Sequence, residues 1–329
     1  MSKNLILACP GVSENRIDFI KKEINSWLSK QSLRNLVDSF DGAVPANVSL
    51  NELADWYLDF CECWDFRGKQ KQAYDKKVGE GARWLLDSGE LSDYQKKCVF
   101  AAIFDLGLVD NYTAKDYAYD YVWVLGGAKL SCLLRSRLAH NIIRNKQIDC
   151  KTVVLLASMR PIGDAEREAT NTYAPNAETE FDLFVAAAQS EFGISTEYSE
   201  ERFDDEYNEN NSWIIRTYES LGCKIIIIAA PSSEPQKRRA NSADTYNFFV
   251  NKYHVVKGQS ILLCTSQIYV PYQHLEAVRT IAVPYKVELD TIGFPVEWGG
   301  DLQGMNEPSN YLQEIWSTIQ SIGRFLNEY

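Results

Sequence analysis

"YVWVLGGAKLSCLLRSRLAHNIIRN", residues 121–145, decides the fold. Its first five residues are β-branched, aromatic or leucine, the composition of a buried strand. Gly126-Gly127 breaks the run. Leu130, Leu133, Leu134, Leu138, Ile142 and Ile143 then recur at helical spacing. A strand, a glycine turn and a helix make the opening unit of an α/β sheet.

The pattern repeats downstream. "TVVLLAS" (152–158), "KIIIIAA" (224–230), "SILLCTS" (260–266) and "YKVEL" (285–289) read as further strands. Between and after them "AETEFDLFVAAAQSEFG" (177–193), "SADTYNFFVNKY" (242–253), "PYQHLEAVRTIAV" (271–283) and "NYLQEIWSTIQSIGRFLNEY" (310–329) read as helices. Short, continuously apolar strands alternating with helices predict a mostly parallel sheet covered on both faces. "EYSEERFDDEYNEN" (197–210) carries seven acids and one arginine and reads as a solvated surface insertion. It lacks the central glycine of a calcium loop.

Upstream the period is helical throughout, roughly residues 10–112. Ile17, Ile20, Ile24, Trp27 and Leu28 share one face, and Leu53, Trp56, Tyr57, Phe60, Cys61 and Trp64 another, after a capping "NVSLNE". "GARWLLDSGELSDYQKKCVFAAIFDLGLV" adds two pieces broken at Ser88-Gly89. The aromatic stripe reads as the core of a helical module rather than a cofactor box. The expected fold is therefore α/β: a mostly parallel, Rossmann-like three-layer sheet over 116–329, with an N-terminal all-helical module over 1–115.

Charge and composition exclude several classes. The 329 residues are 45% apolar and carry a net charge of −11. Such a chain is a poor match for nucleic-acid phosphates or an anionic membrane surface. No apolar run is long enough to span a bilayer, and "MSKNLILACPGVSENRID" turns polar too soon for a signal peptide. The expectation is a soluble, cytoplasmic protein, with self-association into a homo-oligomer left open. The eight cysteines are scattered without a CxxC pair and read as buried thiols. His140, His254 and His274 have no metal-ligand spacing, so neither a zinc centre nor a Ser-His-Asp machine is expected. GxGxxG, GxxxxGK[ST] and GxSxG are all absent.

In a parallel sheet the ligand lies beyond the carboxyl ends of the strands. Here those ends are Gly126-Gly127, Ser158-Met159-Arg160, Pro231-Ser232-Ser233 and Thr265-Ser266-Gln267. Four such loops should meet at one crevice. Gly126 and Gly127 would let a ligand approach the backbone, or would simply make a turn. Arg137, Arg160 and Arg239 could balance its negative charge; for Arg137 a surface ion pair is the alternative. Glu178 and Glu180 open a helix, where the dipole alone favours carboxylates, but a glutamate there could also bind a ribose hydroxyl or act as a general base. Asn241 and Asp244 have near capping-box spacing. Ser242, Thr265, Ser266 and Gln267 complete the polar rim.

Taken in order, these loops resemble the SanA/YdcF-like family. "YVWVLGG", "RLAHNII", "ETEFDLFVAAAQSEFGI", "ANSADT" and "ILLCTSQIYVPYQHLEAVR" are similar to its successive motifs, over roughly residues 118–329. The resemblance puts Glu180 at the family's acidic position, and Asn241, Ser242, Asp244 and Thr245 on its Asn-Thr-x-Glu-Asn signature. Tyr269 and Tyr272 stand where that family usually has a histidine and an arginine. The resemblance implies a Rossmann-like domain whose polar crevice takes a nucleotide-like cofactor such as S-adenosylmethionine. Two functions are expected in competition. One is an enzyme acting on a nucleotide-like or phosphorylated small molecule, with Glu180 or Asp244 as acid/base. The other is a non-catalytic ligand-sensing or interaction module. A methyltransferase ranks below both, since its glycine-rich loop is reduced to Gly126-Gly127.

Overall fold

The structure is a computed structural model and describes residues 16–67, 91–109, 113–220, 222–300 and 307–329. The chain divides into two units, one over Met1–Asn111, Gln267–Arg279 and Pro295–Tyr329, the other over Tyr112–Ser266 and Thr280–Phe294. A single boundary at 115/116 describes only the first crossing of the chain. The helical unit later takes back the segment after Ser266 and the C-terminal helix.

In the helical unit the elements are α1 (Arg16–Leu28), α2 (Gln31–Asp38), α3 (Leu50–Cys61) and α4 (Asp93–Asp105). Ser49 and Ser92 start α3 and α4 with reciprocal capping boxes to Glu52 and Gln95, which satisfy the free N–H groups of the first turn. The helical piece expected before Ser88-Gly89 lies outside the described residues. The aromatic stripe is core. Trp56 stacks on Phe60 at 5.1 Å, Trp64 is 1% exposed, and the Tyr57 hydroxyl donates to the Leu28 carbonyl at 3.0 Å. The C-terminal helix of this unit, Pro308–Glu328, packs on α3 and α4 and is buried along most of its length.

The second unit holds a seven-stranded sheet: β1 (Tyr121–Leu125), β2 (Thr152–Ala157), β3 (Ser199–Phe203), β4 (Trp213–Ser220), β5 (Cys223–Ala229), β6 (Ser260–Ser266) and β7 (Glu288–Phe294). Their order is β3-β4-β5-β2-β1-β6-β7. The five strands from β5 to β7 run parallel. The acidic insertion is a hairpin, with β3 antiparallel to β4 and β4 antiparallel to β5. Every residue of β3 is exposed, so the insertion is solvated, as its charge implies, and also extends the sheet. The last strand lies at 288–294 rather than 285–289. Lys286 sits in the left-handed region at φ +55°, which ends the preceding helical segment and delays the strand.

Three helices cover the parallel strands: α5 (Ser131–Arg144), α6 (Glu180–Phe192) and α7 (Ser242–Lys252). α5 and α6 pack on each other, α5 over β1 and β6 and α6 over β5 and β2. On the other face Trp123 of β1 stacks on Tyr246 of α7 at 5.4 Å and meets Phe249 edge-on at 5.3 Å. Side chains alternate across a strand, so Val122 and Val124, both fully buried, face the α5–α6 layer. The result is the expected three-layer, Rossmann-like α/β arrangement. Gly193 closes α6 at φ +60°, a conformation that suits glycine. Among the described residues no helix is long and apolar enough to cross a membrane. Cys61, Cys132, Cys150, Cys223 and Cys264 are buried as expected, whereas Cys63 is exposed and Cys98 is half-buried.

Candidate functional site

At the carboxyl end of β1 the chain turns through Gly126 and Gly127. The Gly126 N–H donates to the Leu156 carbonyl of β2 at 3.1 Å, so the turn stays tied to the sheet. Arg135, on the first turns of α5 and only 2% exposed, clamps it from the other side. Its Nη1 donates to the Leu125 carbonyl at 3.1 Å and also to the Gly126 carbonyl. Its Nε and Nη2 donate to the Ser266 Oγ at 3.2 and 3.1 Å. One buried guanidinium thus joins the ends of β1 and β6.

The end of β2 supplies the third part. Ser158 and Arg160 lie in a loop that runs antiparallel to the start of α6 through a Pro161–Thr179 bridge. The Glu180 N–H donates to the Arg160 carbonyl at 2.9 Å. Thr179 caps α6 and forms a capping box with Asp182, so Glu180 is not the capping carboxylate. Its Oε2 accepts from the Ser158 hydroxyl at 2.8 Å and from Arg160 Nε at 3.3 Å. Its Oε1 lies against Gly126: a Cβ built on that glycine would sit 1.8 Å from it. The glycine is therefore required by a carboxylate of the protein itself.

Arg160 also holds Glu166, which is 2% exposed, through Nη1 at 2.5 Å and Nη2 at 2.9 Å. Burial pushes the Glu166 carboxyl up, but the hydrogen bonds and charge of Arg160 outweigh it, and the net shift is downward. Glu166 Oε1 also accepts the Lys129 N–H at 3.3 Å. Burial pushes the Lys129 ammonium down, partly offset by Glu166 and Glu168. Burial and the nearby Glu180 push the Cys132 thiol up, so it is a protonated, unreactive thiol at neutral pH.

The sequence-expected residues divide. Gly126, Gly127, Arg160, Glu180 and Ser266 come together, and Arg135, Ser158 and Glu166 join them. Thr265 is wholly buried in β6 beside them. Asn241 and Asp244 form a separate cluster after β5. The Asn241 side chain accepts from the Asp244 N–H at 3.1 Å, and Asp244 Oδ2 accepts from the Asn241 N–H at 2.8 Å. Asp244 also takes Arg238 Nη1 at 2.5 Å and the Ser233 N–H at 3.2 Å. Burial pushes the Asp244 carboxyl up, and Arg238 and Ser233 more than reverse it. A carboxylate with so many donors is a weak base, and capping accounts for it. It is Arg238 that pairs with Asp244, while Arg239 is half-buried in the turn and its carbonyl accepts from Arg238 at 3.1 Å. Ser242 is exposed at the first turn of α7. Arg137 points away from the cluster and pairs with Glu191, at the far end of α6, at 2.8 Å. Gln267 belongs to the helical unit, where its Nε2 donates to the Gly107 carbonyl at 3.3 Å.

A depression of about 320 Å³, lined by Tyr119, Asp120, Asp149, Lys151 and Ser260 among others, lies at the opposite, amino-terminal edge of the strands. Its Asp120 carboxylate is taken by the N–H and hydroxyl of Ser260.

Residues 12–107 match the family described as the Rv3785 N-terminal domain. Over 317 residues the chain is 31% identical to the uncharacterised protein Rv3785 of Mycobacterium tuberculosis, covering 92% of this chain and 88% of that one. The chain belongs to the Rv3785 family. The uncharacterised protein Mb3814 of Mycobacterium bovis, also 31% identical over 317 residues, is a further relative. No solved structure matches. The names of these Rv3785 relatives carry no activity, and the 12–107 match falls within the helical third rather than on the glycine–glutamate cluster.

Proposed function

We propose that this chain is a cytoplasmic small-molecule enzyme whose ligand, nucleotide-like in character, sits beyond the carboxyl ends of the parallel strands and is handled by Glu180. The observation that carries this reading is the Glu180 carboxylate. It lies at the strand ends beside Gly126, with one oxygen fixed by Ser158 and Arg160. A carboxylate held in one rotamer is placed to orient a ligand or to move a proton. Gly126, Gly127 and Ser266 line the same spot, and Arg135 positions them. The SanA/YdcF-like resemblance, with S-adenosylmethionine as a ligand, belongs to the same proposal. A double glycine after a central parallel strand and a glutamate opening a later helix are what it implies.

The second reading is a non-catalytic binder. It is favoured by the commitment of Asp244 to its cap and by the raised Cys132 thiol, which leave Glu180 as the acid/base among the residues named. Glu180→Gln separates the two. The enzyme reading predicts lost turnover with retained affinity across nucleotides, S-adenosylmethionine and phosphosugars. Binding with no turnover by the unaltered protein would reverse the order of the two readings.

A further inference from the structure

The glycine turn could face a phosphate or carboxylate of a ligand or simply make a turn, and the partners of the turn and its arginines argue against the phosphate. A phosphoryl group at this turn would need open backbone N–H groups and uncommitted guanidinium donors. The Gly126 N–H is spent on the Leu156 carbonyl. The room left by the missing Gly126 side chain is filled by Glu180 Oε1. Arg160 is shared between Glu166 and Glu180, and its Nη1 also donates to the Pro161 carbonyl at 3.2 Å. Arg135 spends its donors on two carbonyls and Ser266. Around the turn the Arg135 and Arg160 guanidinium charges are already matched by the Glu166 and Glu180 carboxylates, with the Lys129 ammonium near Glu166.

Glu180 itself is divided. Oε2 accepts two hydrogen bonds. Oε1 makes none among the described residues, although the residue is only 7% exposed and its side chain keeps 10% of its surface open. The oxygen is not sealed from solvent, so it is an open acceptor at the strand ends where a ligand donor can replace water. We infer that Glu180 Oε1 receives the hydroxyl or amine donor of a neutral or cationic ligand group, a sugar-like vicinal diol being the best match, and that no phosphoryl group docks at Gly126. This rests on the reading of the strand ends as a ligand site and specifies which part of a nucleotide-like ligand lies there.

The test is calorimetric binding of adenosine, 2′,3′-dideoxyadenosine, adenosine monophosphate and pyrophosphate to the full chain and to E180Q. The expected result is that adenosine binds at least as tightly as the monophosphate. Removing the diol, or substituting Glu180, should each weaken adenosine about 10- to 100-fold, the range for a lost charge-assisted hydrogen bond. The dideoxy probe needs no variant and so is independent of how E180Q folds. Pyrophosphate binding more tightly than adenosine, or adenosine binding indifferent to the diol, overturns the inference while leaving a ligand site in place. No binding of any of the four overturns the inference together with the reading beneath it.

Discussion

Gly126→Ala tests the packing on which the site depends. The residue does not occupy the left-handed region, so alanine costs nothing in backbone conformation. The cost comes from its Cβ, which would stand 1.8 Å from Glu180 Oε1 and 2.9 Å from the Leu156 carbonyl oxygen, against a floor near 3.0 Å for real contacts. The carboxylate must retreat by more than an ångström, and Oε2, now 2.8 Å from Ser158 and 3.3 Å from Arg160, loses both donors. Hydrogen bonds to a charged group contribute about 1.5–3 kcal/mol each, and a retreating carboxylate regains some water. A net loss of about 3 kcal/mol follows, against a gain of about 0.5–1 kcal/mol from a less flexible unfolded chain. In an E180A background the main clash is gone, and Gly126→Ala should cost less than about 1 kcal/mol. Urea unfolding of the four proteins gives the coupling directly. An equal cost of Gly126→Ala in both backgrounds would refute the claim that the glycine exists to admit the carboxylate.

Arg135→Met should cost about 3 kcal/mol in the same assay, because two carbonyls and Ser266 lose a buried donor. Arg135→Lys should recover only part of that, since an ammonium cannot reproduce the fork. For Glu166 the folded carboxyl titrates below its unfolded value. Its stabilisation is therefore full above the ordinary carboxylate range and is lost as pH falls through the lower, folded value. E166Q should accordingly be about 3 kcal/mol less stable than the unaltered protein at pH 7, with the gap closing as pH falls below the ordinary carboxylate range, as measured by thermal unfolding across pH. Asn241→Ala should cost about 1 kcal/mol, the ordinary loss of a cap, and leave adenosine affinity unchanged in calorimetry; a tenfold weakening would return that cluster to the ligand site.

The strands at 121–125 and 260–266 were legible because buried parallel strands are continuously apolar, and the helices because their caps are chemically specific. The Asn241 cap is an example: spacing alone predicts the box that the structure shows. The hairpin at 199–220 was not legible, because exposed β3 carries charge where a half-buried strand would alternate. Arg135 and Arg137 show the limit for side chains. Two residues apart on a helix they point roughly 200° apart, and nothing in the sequence says which one faces the sheet ends. Glu166 went unnoticed because its short helix leaves no period to read. It matters through Arg160, a partner six positions away that only the folded loop brings to it.

Hydrogen–deuterium exchange of the full chain with and without saturating adenosine tests the central claim most directly. The account predicts slowed exchange in the Gly126–Ser131 turn, in the Ser158–Ile162 loop and at the start of α6 around Glu180, with the amino-terminal strand edge at Asp120, Lys151 and Ser260 unchanged. Protection confined to that opposite edge, or none at Gly126 and Glu180 while adenosine is bound, would contradict it.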